Sequence, residues 1–161
     1  MILFNSRHWV ARENEPINEV PPLTEADYAP GGSTALLDAV GWTINSIGMR
    51  LTNTPEERRP GRVIIAILTD GEENCSREYD LARVAAMIEH QQEQYGWQFV
   101  FLGANMDAFA SAKTLNIPVA NAANFVNDAI GTQTAMRGMS ATVTSLRTAP
   151  ADSTGKVGGN P

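Results

Sequence analysis

The stretch IIAILTDGEE, residues 64–73, decides the class of fold. Its continuous run of aliphatic residues predicts a strand over Val63–Leu68 that is buried on both faces, as in the parallel sheets of α/β proteins. The run stops at Asp70, which places a carboxylate at the carboxyl end of the strand, where open α/β sheets bind their ligands. Asp70 can cap a turn, because Asp-Gly is a common turn pair. It can equally serve a hard divalent cation, which prefers carboxylate oxygens.

A second informative segment is PGGSTALLDA, residues 30–39, a glycine-rich bend that leads directly into a helix. Ser33 and Thr34 stand at the start of this helix, where a hydroxyl side chain caps free amide groups. Apolar residues then recur at intervals of three and four, which predicts a helix with one buried face. These residues are Leu37, Val40, Ile44, Ile47 and Leu51.

Together the two segments resemble the von Willebrand factor A family. A Gly-Gly-Ser-Thr-Ala-Leu-x-Asp-Ala loop followed by Thr-Asp-Gly-Glu-Glu-Asn is typical of its bacterial and phage members. Three further stretches agree with the resemblance, and each stands in the expected order. They are NTPEE at 53–57, EHQQ at 89–92 and WQFVFLGAN at 97–105.

The resemblance implies a three-layer, Rossmann-like α/β fold over residues 1–147, with a mainly parallel central sheet and one antiparallel edge strand. It also implies a metal-ion-dependent adhesion site for Mg²⁺ or Mn²⁺. In that family the cation is held by an Asp-x-Ser-x-Ser loop, a threonine and a second aspartate, and the last two match Thr34 and Asp70. We therefore expect these two side chains to converge at one cation.

The Asp-x-Ser-x-Ser loop does not occur in these 161 residues. Met1–Asn5 already resembles the family's second strand, so the resemblance implies a fold that is truncated at its N-terminus. The family's first strand, which this chain would lack, is the central strand of the family's sheet. Strands Ile2–Asn5 and Val63–Leu68 must then pair directly, or another chain must fill the gap, and exposed edges also allow a homo-oligomer. Two oxygen ligands should bind magnesium weakly or not at all, because the ion prefers six.

The rim, by which we mean the edge of the sheet where the parallel strands end, is the expected partner-binding surface. We expect seven further residues to line it. Asp107 can alternatively cap the helix that follows, which is the simpler interpretation. The seven are Ser33, Gly71, Glu72, Glu73, Asn74, Asn105 and Asp107.

The remaining elements alternate between strand and helix, as an α/β sheet requires. Ile2–Asn5 and His8–Ala11 predict an antiparallel hairpin, and Gln98–Leu102 predicts a second buried strand. A helix between the buried strands should begin at Ser76 and end at Gly96, with Leu81, Val84, Ala85 and Ile88 buried. Met136, Met139, Val143 and Leu146 predict a last amphipathic helix, and residues 148–161 predict a disordered tail.

Composition excludes several classes of protein. A length of 161 residues suits one domain, and a net charge of -6 argues against nucleic acid as a partner. The single cysteine, Cys75, excludes an internal disulfide, and there is no zinc-type spacing of cysteine and histidine. No signal peptide and no membrane-length apolar run is present, so we expect a cytoplasmic protein that does not bind membranes.

Three interpretations of function remain. The favoured one is a non-enzymatic binding module whose metal rim engages an acidic side chain of a partner protein. The second is a nucleotide-handling or hydrolytic α/β enzyme that uses Asp70, although phosphate-loop and dinucleotide motifs and a Ser/His/Asp set are absent. The third is an inactive, truncated remnant. Stabilisation by magnesium would separate the first from the third, and nucleotide turnover would support the second.

Overall fold

A computed structural model describes residues 1–24, 26–27 and 31–149. In this part the chain is mixed α/β, with four α-helices and five strands in two sheets. The strands are β1 (Ile2–Phe4), β2 (His8–Val10), β3 (Ile64–Thr69), β4 (Gln98–Ala104) and β5 (Ala122–Phe125). The helices are α1 (Leu36–Thr52), α2 (Leu81–Tyr95), α3 (Ala108–Thr114) and α4 (Ala129–Thr148).

The larger sheet is parallel throughout and has the strand order β3-β4-β5. Its longest ladder runs from the Ile64–Gln98 pair to the Thr69–Gly103 pair. The prediction that these two buried strands share a parallel sheet is therefore confirmed. Because β4 is central, β3 stands at an edge of the sheet.

The predicted N-terminal hairpin is confirmed, but its place in the fold is not. β1 and β2 pair antiparallel, with Leu3 opposite Trp9. The prediction that β1 joins β3 in one sheet is wrong, since β1 pairs only with β2 within the described ranges. The physical reason is that the carbonyl of Asn5 accepts a hydrogen bond from the N–H of Ala35, so the segment before α1 holds the end of β1.

The main core lies on one face of the larger sheet, between its aromatic and aliphatic side chains and helices α1, α2 and α3. Phe99 and Phe101 of β4 are fully buried there, as are Val84 and Ile88 of α2. A second, smaller cluster on the opposite face joins Val100 and Leu102 to α4. Helices therefore pack on both faces of this three-stranded sheet.

The opposite face is less completely covered than the sequence predicts. Ala66 is exposed in the middle of β3, and its face-sharing neighbours Ile64 and Leu68 are half-buried, so the prediction that this strand is buried on both faces is wrong. The reason is that β3 is an edge strand and α4 covers that face only in part. Of the predicted stripe on α4, Met139 and Leu146 pack against the second cluster, whereas Met136 is exposed.

The ends of the helices show which of the predicted cap residues are correct. Gly96 ends α2 in the left-handed conformation with φ 64°, as predicted. Ser76 was the wrong N-cap, because α2 begins at Leu81 after Asp80, whose carboxylate accepts the N–H of Arg83 at 2.8 Å. Leu81, predicted to be buried, is exposed. Helix α4 continues through Thr148, and the rest of the predicted tail, 150–161, lies outside the described residues.

Within the described part of the chain, none of the helices combines the length and apolar character needed to cross a bilayer.

Candidate functional site

Asp70 lies at the rim, directly after the last residue of β3. The ladders pair Thr69 with Gly103 and Ala104 with Phe125, so the ends of all three parallel strands meet at this rim. The Asp70 side chain is exposed, and its Oδ2 accepts a hydrogen bond from Nδ2 of Asn127 at 3.3 Å. Sequence reasoning missed Asn127, although it follows β5 just as Asp70 follows β3.

Thr34 lies against the residue that follows Asp70. A Cβ atom added to Gly71 would lie 2.8 Å from Oγ1 of Thr34, which is closer than ordinary van der Waals contact. The absence of a side chain at Gly71 therefore makes room for the threonine hydroxyl. Both predicted metal ligands thus stand at the same part of the rim, while their sharing of one cation stays a prediction.

The glycine-rich bend and the loop after β3 are joined by a reciprocal pair of hydrogen bonds. The N–H of Thr34 donates to Oδ1 of Asn74 at 2.9 Å, and the N–H of Asn74 donates to the carbonyl of Thr34 at 3.0 Å. The Asn74 side chain is exposed but engaged by this bond. Asn74 therefore orients Thr34 at the rim.

One peptide unit links the hairpin to this loop. The N–H of Ala35 donates to the carbonyl of Asn5 at 2.7 Å, and the carbonyl of Thr34, in the same peptide unit, accepts from Asn74 on the other side. In addition, the N–H of Ser33 donates to the hydroxyl of Ser6 at 3.0 Å. The segment 33–35 thus lies between the end of the hairpin and the loop after β3.

Glu73 is turned inward instead of towards solvent. Burial opposes ionisation of this carboxyl group, yet four hydrogen bonds hold its pKa below the ordinary value. Both carboxylate oxygens are engaged, so Glu73 organises the loop and caps the first turn of α1. The donors are the N–H groups of Leu37, Cys75 and Ser76 and the hydroxyl of Ser76.

Asp38 forms a second anchor for the same loop. Desolvation raises the pKa of its carboxyl group, but the main-chain N–H groups of Arg77, Tyr79 and Glu78, together with the charge of His8, leave the pKa lowered. The N–H of Asp38 in turn donates to the hydroxyl of Ser76 at 3.1 Å. The loop 73–79 is therefore bound to the start of α1 at several points.

These contacts correct the sequence interpretation of how α1 begins. Ser33 and Thr34 were predicted to cap the helix, but the N-cap residue is Ala35, which has no capping side chain. Glu73 and Ser76 supply the hydrogen bonds instead, across a sequence distance of 36 and 38 residues. No local pattern reveals a cap that comes from another loop.

The other predicted rim residues have varied surroundings. Glu72 is exposed next to Gly71, which is half-buried. Asn105 is exposed after β4, with a left-handed φ of 56°. Asp107 accepts the N–H groups of Phe109 and Ala110, which confirms the alternative that it caps α3.

A cleft of about 550 Å³ opens beside the glycine-rich bend. Ser33 and Cys75 line it, together with Arg7, His8 and Arg77. The cysteine is a free, half-buried thiol. The carboxylates of Asp38 and Glu78 also line the cleft, so its charges are mixed.

The chemistry of Thr34 and Asp70 suits a hard cation, since a hydroxyl and a carboxylate are both oxygen donors. Two oxygen donors, however, do not complete the coordination shell of such a cation. Among the residues that the structure describes, no group of three or more histidine, cysteine, aspartate or glutamate side chains could hold a metal ion. A cation at this rim would have to retain most of its water.

No family model, curated protein or solved structure matches this chain.

Proposed function

We propose that this chain is a non-enzymatic, protein-binding module of the von Willebrand factor A type, with an incomplete metal-ion-dependent adhesion site. The observation that carries the proposal is the contact between the Thr34 hydroxyl and Gly71, the residue next to Asp70. It supports a single rim at which both oxygen ligands are available to Mg²⁺ or Mn²⁺. The surrounding loop contacts, through Asn74 and Glu73, would hold this rim in a fixed geometry.

The partner that this rim suits is an acidic side chain on another protein. Asp70 and Glu72 are both exposed, so without a cation they repel a carboxylate. A bound cation with an open coordination position reverses that repulsion and accepts the partner's oxygen directly.

Affinity for the cation should be low, because the chain supplies two oxygens where magnesium prefers six. The affinity for the cation can be measured through protein stability, because a ligand that binds the folded state stabilises it. A ligand at about 100 times its dissociation constant stabilises a protein by about 2.7 kcal/mol, and one below its dissociation constant adds almost nothing. Millimolar Mg²⁺ should therefore leave the Tm of this chain nearly unchanged.

The experiment that tests the site is titration of the ¹⁵N-labelled protein with Mn²⁺, whose paramagnetism broadens the NMR signals of nearby nuclei. We expect the amide signals of Thr34, Gly71 and Asn74 to broaden first. Asp70→Asn should remove this selective broadening. The control Glu93→Gln, which changes an exposed carboxylate on α2, should leave it unchanged.

Equal broadening in the Asp70→Asn protein would contradict the assignment of the metal site. A second arm then tests the partner chemistry, with an aspartate-containing peptide added in the presence of Mn²⁺ or of EDTA. Binding only with the cation is the expected result. Binding that is equally strong in EDTA would contradict a metal-mediated contact.

A further inference from the structure

We propose that the partner protein that binds at the metal rim also buries a large apolar side chain against Val126 and Ile130, here called the apolar patch. This inference rests on the proposed function, because it names a second feature of the same partner. The partner presents one acidic residue to the cation at Asp70 and one large apolar residue beside it. The cation selects for charge, and the apolar patch selects for the residue next to that charge.

Both residues of the apolar patch are strongly exposed for their type. Ile130 is 79% exposed and Val126 is 66% exposed, whereas isoleucine and valine are among the residues most often buried in proteins. Neither side chain belongs to the two core clusters of the described chain. Removing apolar surface from water is favourable in proportion to its area, so a partner that covers these side chains gains affinity.

The turn between β5 and α4 holds the two residues of the apolar patch together. A Cβ atom added to Gly131 would lie 3.0 Å from Cβ of Val126, so the first turn of α4 packs directly against Val126. The N–H of Asp128 donates to the carbonyl of Val126 at 2.9 Å, and Oδ1 of Asp128 accepts the N–H of Gly131 at 2.6 Å. The turn and the start of α4 thus form one compact unit that carries both exposed side chains.

Asn127 joins this unit to the rim. Its Nδ2 donates to Oδ2 of Asp70 at 3.3 Å, and Asn127 immediately follows Val126 in the chain. Neighbouring Cα atoms are only about 3.8 Å apart, so Val126 lies close to the residue that contacts Asp70. The apolar patch therefore lies beside the carboxylate that we assign to the cation.

This proximity defines the spacing of the partner's two residues. In an extended segment, side chains two positions apart point to the same side and lie about 6.5–7 Å apart, whereas adjacent side chains point to opposite sides. An extended partner segment that reaches both the cation and the apolar patch therefore has its acidic and apolar residues two positions apart. Either order satisfies this spacing, so a test peptide should carry an apolar residue on both sides of the acidic one.

The charge next to the apolar patch disfavours a second acidic residue in the partner at that position. Asp128 is exposed and lies in the same turn as Val126, and exposed Glu72 lies near Asp70 in the chain. A carboxylate placed against the apolar patch would be repelled by Asp128 and would gain nothing from apolar burial. The partner that fits is therefore a segment with a single acidic residue and an apolar neighbour, and not a generally acidic segment.

The test compares two synthetic peptides, Phe-Thr-Asp-Thr-Phe and Ser-Thr-Asp-Thr-Ser, which differ only in the residues that would cover the apolar patch. Binding is measured by fluorescence anisotropy in Mn²⁺ and, separately, in EDTA. In Mn²⁺ we expect the phenylalanine peptide to bind about fivefold or more tightly than the serine peptide, because it removes more apolar area from water. Equal binding of the two peptides, or tighter binding of the serine peptide, would overturn the proposal.

Two variants localise the preference to the apolar patch. Ile130→Ser removes one of its side chains, and Ile17→Ser is the matched control, because Ile17 is the same residue type, is 78% exposed and lies in the connector between β2 and α1. Since both side chains are exposed, neither substitution should unfold the protein. Ile130→Ser should weaken binding of the phenylalanine peptide by about threefold or more, and Ile17→Ser should leave it unchanged. Equal effects of the two substitutions would overturn the proposal.

NMR provides a measurement on the unaltered protein. In ¹⁵N-labelled protein, the amide signals of Val126 and Ile130 should shift when the phenylalanine peptide is added, and they should shift less with the serine peptide. The signal of Ile17 should not move with either peptide. Unchanged signals at Val126 and Ile130 with the phenylalanine peptide bound would overturn the proposal.

The outcomes separate the apolar patch from the metal site. Both peptides may bind equally well in Mn²⁺ and not in EDTA, which would overturn the apolar patch and leave the proposed function intact. A phenylalanine peptide that binds equally well in Mn²⁺ and in EDTA, and still depends on Ile130, would support the apolar patch and contradict the metal-mediated contact. If the phenylalanine peptide bound in neither condition, the apolar patch would be overturned, while broadening of the Thr34 signal by Mn²⁺ would still support the metal site.

Discussion

The carboxylate of Glu73 accepts the main-chain N–H of Leu37 at 2.9 Å, so a residue that follows β3 caps the first turn of α1. The same carboxylate binds Cys75 and Ser76 in its own loop. One side chain therefore fixes both the helix start and the loop beside the rim. Because its hydrogen bonds are to a charged, half-buried group, they should contribute more to stability than neutral ones.

Replacement of Glu73 should destabilise the protein. Glu73→Gln removes the charge and presents an amide to N–H donors, so we expect the free energy of unfolding to fall by about 1.5–3 kcal/mol. The measurement is urea denaturation followed by circular dichroism. Glu72→Gln, at the exposed neighbouring position, is the control and should change stability by less than about 0.5 kcal/mol. Equal effects of the two substitutions would contradict the role of Glu73.

Acid should weaken the same contacts. The pKa values of Glu73 and Asp38 are lowered in the folded state from ordinary values of 4.5 and 3.8. Their stabilisation is therefore fully present above those ordinary values and is lost as the pH falls through the lower, folded values. In urea titrations between neutral pH and pH 3, the stability difference between the native protein and Glu73→Gln should shrink below about pH 4.5. A difference that stays constant would contradict this.

Gly41 is required by the packing of α1 against Tyr79, in the loop that precedes α2. A Cβ atom at this position would lie 2.4 Å from the ring of Tyr79, whose hydroxyl accepts a hydrogen bond from Asn45. Gly41→Ala should therefore lower the free energy of unfolding by about 1–3 kcal/mol, the usual effect of overpacking. Gly138→Ala is the matched control, because a Cβ there meets nothing within 4 Å in the described part of the chain. It should stabilise the protein by about 0.5–1 kcal/mol through helix propensity, and a stabilising Gly41→Ala would refute the packing argument.

Gln91 offers a route to a more stable protein. Its residue is 1% exposed, and its Oε1 has no hydrogen-bond partner among the residues that the structure describes. Gln91→Leu keeps the approximate volume and removes this buried polar atom, so the Tm should rise by an amount that corresponds to about 1 kcal/mol. Gln92→Leu on the same helix is the control, since Gln92 donates to the carbonyl of Asn116 at 2.8 Å and its loss should not stabilise. A fall in Tm for Gln91→Leu would show that the amide is satisfied in solution.

Local patterns predicted those parts of the fold that depend on residues close in sequence. The three- and four-residue spacing of Leu37, Val40 and Ile44 was sufficient to find α1, and these residues are buried. Gly96 and Asp107 mark helix ends because each acts on its own backbone or that of its neighbours. The parallel pairing of β3 and β4 followed from two buried runs separated by a helix.

Contacts between distant residues could not be predicted in this way. The cap of α1 by Glu73, the bond from Asn127 to Asp70 and the anchoring of residues 77–79 by Asp38 join segments that are tens of residues apart. Nor did the apolar run 63–68 reveal that Ala66 is exposed, since a run of aliphatic residues carries no information about which neighbouring elements cover it. For the same reason, the sequence did not reveal that β1 and β3 lie in separate sheets.

The position of Glu73 also has a consequence for synthesis of the chain. The N–H of Leu37 is bound by a residue that lies 36 positions later. At a translation rate of about 5–20 residues per second, α1 leaves the ribosome roughly 2–7 s before its cap is made. During that interval the helix has neither its cap nor β3 to pack against. The N-terminal third of the protein thus has to wait for the loop after β3 before it can adopt its final structure.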